Sequence, residues 1–258
     1  SGNAYAEYEL AKIYMLSSQS DSDKFKAFFW MQKAASAGVR DAREALALFY
    51  AEGHFVEKDE KGAIYWWVKA ISQKSKKALD DMIINSNNSD TISFNLGRLF
   101  LDGRYLDINA YEAQKLFSKL KNKIRGADIK ELEARVLLND YDAFLELGML
   151  LQDGERVEKD IERATFLLFE ASENSSSKYK KRLAKKQYLI AREEFLQVSA
   201  ENGDDESQYQ LGKKSRNIIN NTKDFIFSTF GIDEKLSQLF FHSGATEGIN
   251  TLLFGAGF

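Results

Sequence analysis

Gly53-His54-Phe55-Val56-Glu57-Lys58-Asp59 recurs further along the chain as Gly154-Glu155-Arg156-Val157-Glu158-Lys159-Asp160. The shared frame is G-x-x-V-E-K-D, and Gly103-Arg104-Tyr105-Leu106-Asp107-Ile108-Asn109 is a weaker copy. A stretch that returns within one chain signals an array of equivalent units, and its flanks show what each unit is. Upstream lie Ala6/Leu10/Ala11/Tyr14, Ala42/Leu46/Ala47/Tyr50, Ile92/Leu96/Gly97/Phe100, Ala143/Leu147/Gly148/Leu151 and Ser207/Leu211/Gly212. Steps of four and then three put these residues on one face of a helix, called helix A.

Downstream, Asp23, Asp59, Asn109 and Asp160 are each followed four residues later by alanine: Ala27, Ala63, Ala113 and Ala164. Such residues cap helices by accepting bonds from orphan backbone N–H groups, so each is expected to open a helix B. Three residues past each alanine stands Trp30, Trp66, Leu116 or Leu167. These large residues are expected to fill the core beside the alanine, which leaves Trp67, one step around, for the surface. Gly38 and Gly203 then end helices with a cheap left-handed turn.

The repeated leucines set the unit lengths. Leu10 and Leu46 are 36 residues apart, whereas Leu96 follows Leu46 by 50 and Leu147 follows Leu96 by 51. The longer gaps hold an insertion, and Lys76–Ile84 and Asp128–Asn139 fit short extra helices. The last gap, to Leu211, has room for a degenerate repeat with helices near Tyr179–Tyr188 and Ala191–Glu201.

Composition agrees with helices and glycine turns. The 258 residues include no proline, which unbroken helices tolerate best. With no cysteine, disulfides, thiolate metal sites and cysteine nucleophiles are excluded. Two histidines, His54 and His242, are a poor supply for a metal site or a catalytic triad. Thirty-six basic against 39 acidic residues give a net charge of −3, unlike the basic excess of a dedicated nucleic-acid binder. No apolar run approaches the roughly 18 residues of a membrane span. Ser1-Gly2-Asn3 has the look of a remnant of a cleaved tag, so the native N-terminus is expected to lie outside this sequence.

Over roughly residues 4–214 the repeats resemble the Sel-1-like repeat family, a relative of the tetratricopeptide repeat. The closest matches are Gly53/Val56/Asp59/Ala63/Trp66/Lys69/Ala70 and Ala27/Trp30/Lys33/Ala34/Ala35/Gly38. The resemblance implies an all-α, right-handed superhelical solenoid of helix pairs with short helical insertions. The expected organisation is a solenoid over 1–214 and a capping or partner-docking tail over 215–258. In the tail, Ile232/Leu236/Leu239/Phe240 make an apolar helix face, and Thr251–Phe258 is apolar and glycine-containing. Members of the family act mostly as adaptors, and many bacterial ones are exported. The resemblance therefore implies a non-enzymatic protein-binding scaffold in a bacterial periplasm or envelope, with a cytoplasmic location as the alternative. Rival roles are an immunity protein that neutralises a toxin enzyme and an assembly factor for exopolysaccharide export. No cofactor, metal site or nucleic-acid partner is expected.

In such a stack helix A lines the groove, and positions two before and two after the repeated leucine should face it. Two before gives Tyr8, Glu44, Phe94, Leu145 and Tyr209; two after gives Lys12, Leu48, Arg98, Met149 and Lys213. Aromatic, Leu/Met and Arg/Lys side chains suit a protein-binding surface. Glu57, Asp59, Glu158 and Asp160 are copies of one turn, so capping explains them better than paired catalytic carboxylates. Lys178, Lys180, Lys181, Arg182, Lys185 and Lys186 form a basic cluster that could meet phosphate or an acidic polymer, or simply be a solvated helix face.

Overall fold

The computed structural model describes residues 2–17 and 20–230. Among them the chain forms helices and no strand. Four helices of the first unit repeat the A pattern, α1 (Gly2–Leu16), α3 (Arg40–Glu52), α6 (Asp90–Asp102) and α9 (Tyr141–Asp153), and the fifth copy, Ser207/Leu211/Gly212, lies in the last described helix. Their B partners are α2 (Asp21–Ser36), α4 (Glu60–Ile71), α7 (Ala110–Leu120) and α10 (Ile161–Asn174). The two insertions are helices, α5 (Lys76–Ser86) and α8 (Ala127–Leu137). The described chain ends with α11 (Lys178–Glu201) and α12 (Asp205–Phe230).

The repeated turn is built the same way each time. Gly53, Gly103 and Gly154 end an A helix with φ of 78°, 68° and 79°, a conformation that glycine adopts at no steric cost. The backbone N–H groups of Asp59, Asn109 and Asp160 then donate to the carbonyls of Tyr50, Phe100 and Leu151, which pins the start of helix B against the end of helix A. The three side chains cap α4, α7 and α10 by accepting from the N–H of Lys61, Glu112 and Arg163. In the first repeat the cap is Ser20, not Asp23: its Oγ accepts from the Asp23 N–H at 3.1 Å and donates to Asp23 Oδ2 at 2.9 Å.

The core corrects the expected helix phase. Ala27, Ala63, Ala113 and Ala164 are fully buried, but the large residue that joins each is four positions on: Met31, Trp67, Phe117 and Leu168, all at 0% exposure. Of the residues three positions on, Trp30, Trp66 and Leu116 are only half-buried, so Trp67 is the core tryptophan and not a surface one, whereas Leu167 is buried at 2% exposure as expected. Facing these residues on helix A are Ala11, Ala47, Gly97 and Gly148. The fit is close: a Cβ on Gly97 would lie 2.7 Å from Phe117 Cζ, and one on Gly148 would lie 2.8 Å from Leu168 Cγ.

By compactness the chain divides into two units, Ser1–Tyr188 and Leu189–Phe258, with the division inside α11 and ahead of the boundary expected after 214. The helix expected near Tyr179–Tyr188 and that near Ala191–Glu201 are one continuous helix. The residues between them, Leu189 and Ile190, include no glycine, proline or capping side chain to break it. Helix α12 also continues past Thr222, where the repeat was expected to break, as far as Phe230. The apolar segment over 232–240, His242 and the terminal run Thr251–Phe258 lie outside the described residues.

Candidate functional site

The positions flanking each repeated leucine divide into two sets. Two after the leucine, Lys12, Arg98 and Met149 are exposed and Leu48 is half-buried. Two before it, Tyr8 and Phe94 are half-buried, while Glu44 and Leu145 are buried at 6% exposure each and leave the set of open groove residues. Neighbouring helices close this side. Glu44 accepts a hydrogen bond of 2.5 Å from Ser75 Oγ, at the cap of the inserted α5, and its carboxylate lies 3.7 Å from Arg40 Nε and 3.9 Å from Lys77 Nζ. The Phe94 ring meets Phe117 edge-on at 5.5 Å. In the second unit Tyr209 and Lys213 are exposed.

Two clefts open on the helix-A side of the first unit, and each contains one of the exposed positions. The larger, about 790 Å³, runs between α8 and α9 and holds Met149. Leu132, Met149 and Leu150 give it an apolar floor. Its rim carries Glu146 and Asp153 of α9, the Lys121–Glu131 pair at 3.4 Å, and the Arg156–Asp128 pair. Burial pushes the Asp128 carboxyl up, but the hydrogen bond and charge of Arg156, with the Ile129 N–H, bring it below its ordinary value. That pair ties the turn after α9 to α8 beside the cleft.

The second cleft, about 570 Å³, lies between α4, α6 and α8 and holds Arg98 with Asn95, Leu99, Tyr105, Lys130 and Glu133. Arg98 makes no ion pair among the described residues, whereas Lys130 and Glu133 neutralise each other at 2.6 Å. Helix α8 therefore walls both clefts, with Glu131 and Leu132 toward one and Lys130 and Glu133 toward the other. Sequence reasoning located the insertions but gave them no part in the site. The available signal was the short α8 run itself, in which apolar and charged residues alternate sides.

Among the described residues no three His, Asp or Glu side chains gather as metal ligands would, and no helix is long and apolar enough to cross a membrane. Glu57 and Glu158 stay apart in separate copies of the turn, and Asp59 and Asp160 serve as caps.

The fold defines an all-α solenoid of helix pairs. The family model described as Sel1 repeat matches residues 4–39, 40–75, 93–122 and 143–176, more than half of the chain, and the protein belongs to that family. Sel1 repeats generally mediate protein–protein interaction and form a non-catalytic scaffold family. One similar protein is the chitin synthase regulator SKT5 of Saccharomyces cerevisiae, 29% identical over 83 residues, which are 31% of this chain and 12% of that protein. The chain thus spans a small part of that relative's length. A Sel1 repeat protein from Oxalobacter formigenes is 20% identical, over 81% of this chain and 77% of the other, with a TM-score of 0.27. The protective antigen c5321 of uropathogenic Escherichia coli, which displays an SLR fold, is 21% identical over 82% of this chain and 48% of the other, also with a TM-score of 0.27.

Proposed function

We propose that the protein is a non-enzymatic scaffold that holds a protein partner on the helix-A side of its first unit. The observation that carries this reading is the placement of Met149 and Arg98. They occupy the same repeat position in successive A helices, and each opens into a cleft large enough for a partner's side chains. Met suits a recognition floor because its unbranched thioether adapts to irregular shapes. An unpaired Arg offers five donors in a rigid fork to a partner's carboxylate or carbonyl groups. Neither residue is needed by the core, so binding and folding are separable here.

The test is affinity capture with the full chain from the organism that makes it, repeated with Met149→Glu and Arg98→Glu. One partner should be retained by the wild type and lost from both variants at unchanged melting temperature, and Tyr111→Ala on α7 should retain it. If both variants capture the same partner as well as the wild type, the clefts are not the binding surface. If the partner is an enzyme whose activity the complex abolishes, the scaffold acts as an immunity protein.

A further inference from the structure

The N-terminal half of α11 carries charge in a way that helix stability does not explain. Residues 178–188 include six cations, Lys178, Lys180, Lys181, Arg182, Lys185 and Lys186, and no carboxylate. The first turn of a helix is the positive end of its dipole and favours acidic residues, yet α11 has none there. Cations three and four apart also repel along the helix, as do Lys178 with Arg182, Lys181 with Lys185, and Arg182 with Lys186. Among the described residues, two of the six find partners. Lys180 pairs with Asp142 at 2.5 Å, and Lys181 donates to the Glu173 carbonyl at 2.6 Å. Lys178, Arg182, Lys185 and Lys186 are exposed, and none makes an ion pair or hydrogen bond among the described residues. At 100° per residue these four, with Lys181, share one outward arc, while Ala184 on the opposite side is fully buried.

We propose that this face is a docking surface for an anionic lipid bilayer. The five outward cations span about 12 Å of helix at 1.5 Å per residue. Four of the five are lysines, point charges on flexible stems that adapt to a smeared negative surface rather than to one bidentate group. Tyr179, 73% exposed on the edge of the same arc, has the amphipathic ring that suits the headgroup level. Clusters of this size next to an anionic leaflet gain roughly fivefold in partitioning per cation. The whole chain is acidic at −3, so its adsorption to a negative surface must come from a local patch.

The test is co-sedimentation of the full chain with vesicles of phosphatidylcholine containing about a third phosphatidylserine, against pure phosphatidylcholine, at low and high salt. Binding is expected only to the anionic vesicles, and it should fade with salt as charges are screened. Lys185→Ala with Lys186→Ala should weaken it about twenty-five-fold, at roughly fivefold per charge. The same pair changed to Arg should bind normally, and Lys58→Ala with Lys61→Ala, outside this face, should change little. Removing mutually repelling charges should not unfold the helix, and circular dichroism of each variant checks this. Absence of binding to anionic vesicles overturns the proposal, as does equal loss from the Lys58/Lys61 variant. Retention on immobilised polyglutamate but not on vesicles also overturns it, and would assign the face to an acidic polypeptide.

Discussion

Trp67→Ala is expected to destabilise the first unit by about 2–4 kcal/mol. A buried tryptophan removes some 150–250 Å² from water, and at about 25 cal/mol per Å² that is about 5 kcal/mol. Against this stands one cost: Trp67 Nε1 is buried without a hydrogen-bond partner. An orphan N–H costs about 1–3 kcal/mol, and the alanine variant is relieved of it. The same reasoning makes Trp67→Phe mild, within about 1 kcal/mol, because it keeps most of the ring contact and removes the orphan donor. Trp66→Ala should cost about 1–2 kcal/mol, since that ring is half-buried where two core clusters meet. Urea denaturation followed by circular dichroism gives the midpoints and slopes. A loss at Trp66 equal to or greater than that at Trp67 would refute the helix phase described above. A Trp67→Phe variant as damaged as the alanine would refute the role given to the unpartnered N–H.

Gly97→Ala should destabilise by about 1–3 kcal/mol because the added carbon meets the Phe117 ring, whereas Gly212→Ala, with nothing within 4 Å, should be neutral or stabilising by up to about 1 kcal/mol; thermal melts distinguish them. Burial raises the Asp81 carboxyl, with Lys77 opposing and Glu44 adding to the rise, and one of its oxygens is buried without a partner. Its folded-state affinity for a proton exceeds the unfolded one, so it costs stability as pH rises out of the ordinary carboxylate range. Asp81→Asn should therefore raise the melting temperature at pH 7 and lose that advantage at pH 3. Asp140 behaves oppositely: burial raises it, but Arg135 at 2.8 Å and the N–H groups of Asp142 and Ala143 bring it below its ordinary value. Its contribution is present above the unfolded pKa and is lost as pH falls through the folded one, so the acid-induced transition of Asp140→Ala should begin from a lower plateau, by about 1 kcal/mol for the lost cap.

The glycine turns, the caps at Asp59, Asn109 and Asp160 and the inserted helices were legible because each rests on chemistry local to a few residues. The core phase of helix B was not. In every copy the positions three and four past the alanine are both apolar: Trp30/Met31, Trp66/Trp67, Leu116/Phe117 and Leu167/Leu168. Either spacing lies on the same helix face, so periodicity does not choose between them, and the tryptophans drew attention to the wrong one. Which of the positions beside the repeated leucine stay exposed was half legible for a related reason. A position two residues from a core leucine opens to solvent unless another helix covers it, and coverage is a tertiary fact. Leu145 is closed by its neighbours, and Glu44 by the cap of α5, while Met149 and Arg98 stay open. The continuity of α11 was hidden because a helix of that length spans what the repeat pattern would cut into two.

The matched sizes across each helix pair bear on how an array of look-alike parts avoids assembling in the wrong order. The four A helices and four B helices of the first unit could in principle couple as strangers, and repeat proteins characteristically fail by such misassembly. Here Phe117 has room only against a residue without a side chain, as Gly97 is, so α7 offered to α3 would strike Ala47. Leu168 makes the same demand of Gly148. Conversely, Met31 laid over Gly97 would face a hollow where Ala11 now sits. Alanine on α1 and α3 and glycine on α6 and α9 therefore sort the pairs into two classes, and exchanging Ala47 for Gly and Gly97 for Ala would do more than unsettle two cores: it would erase the mark that tells one class of partner from the other.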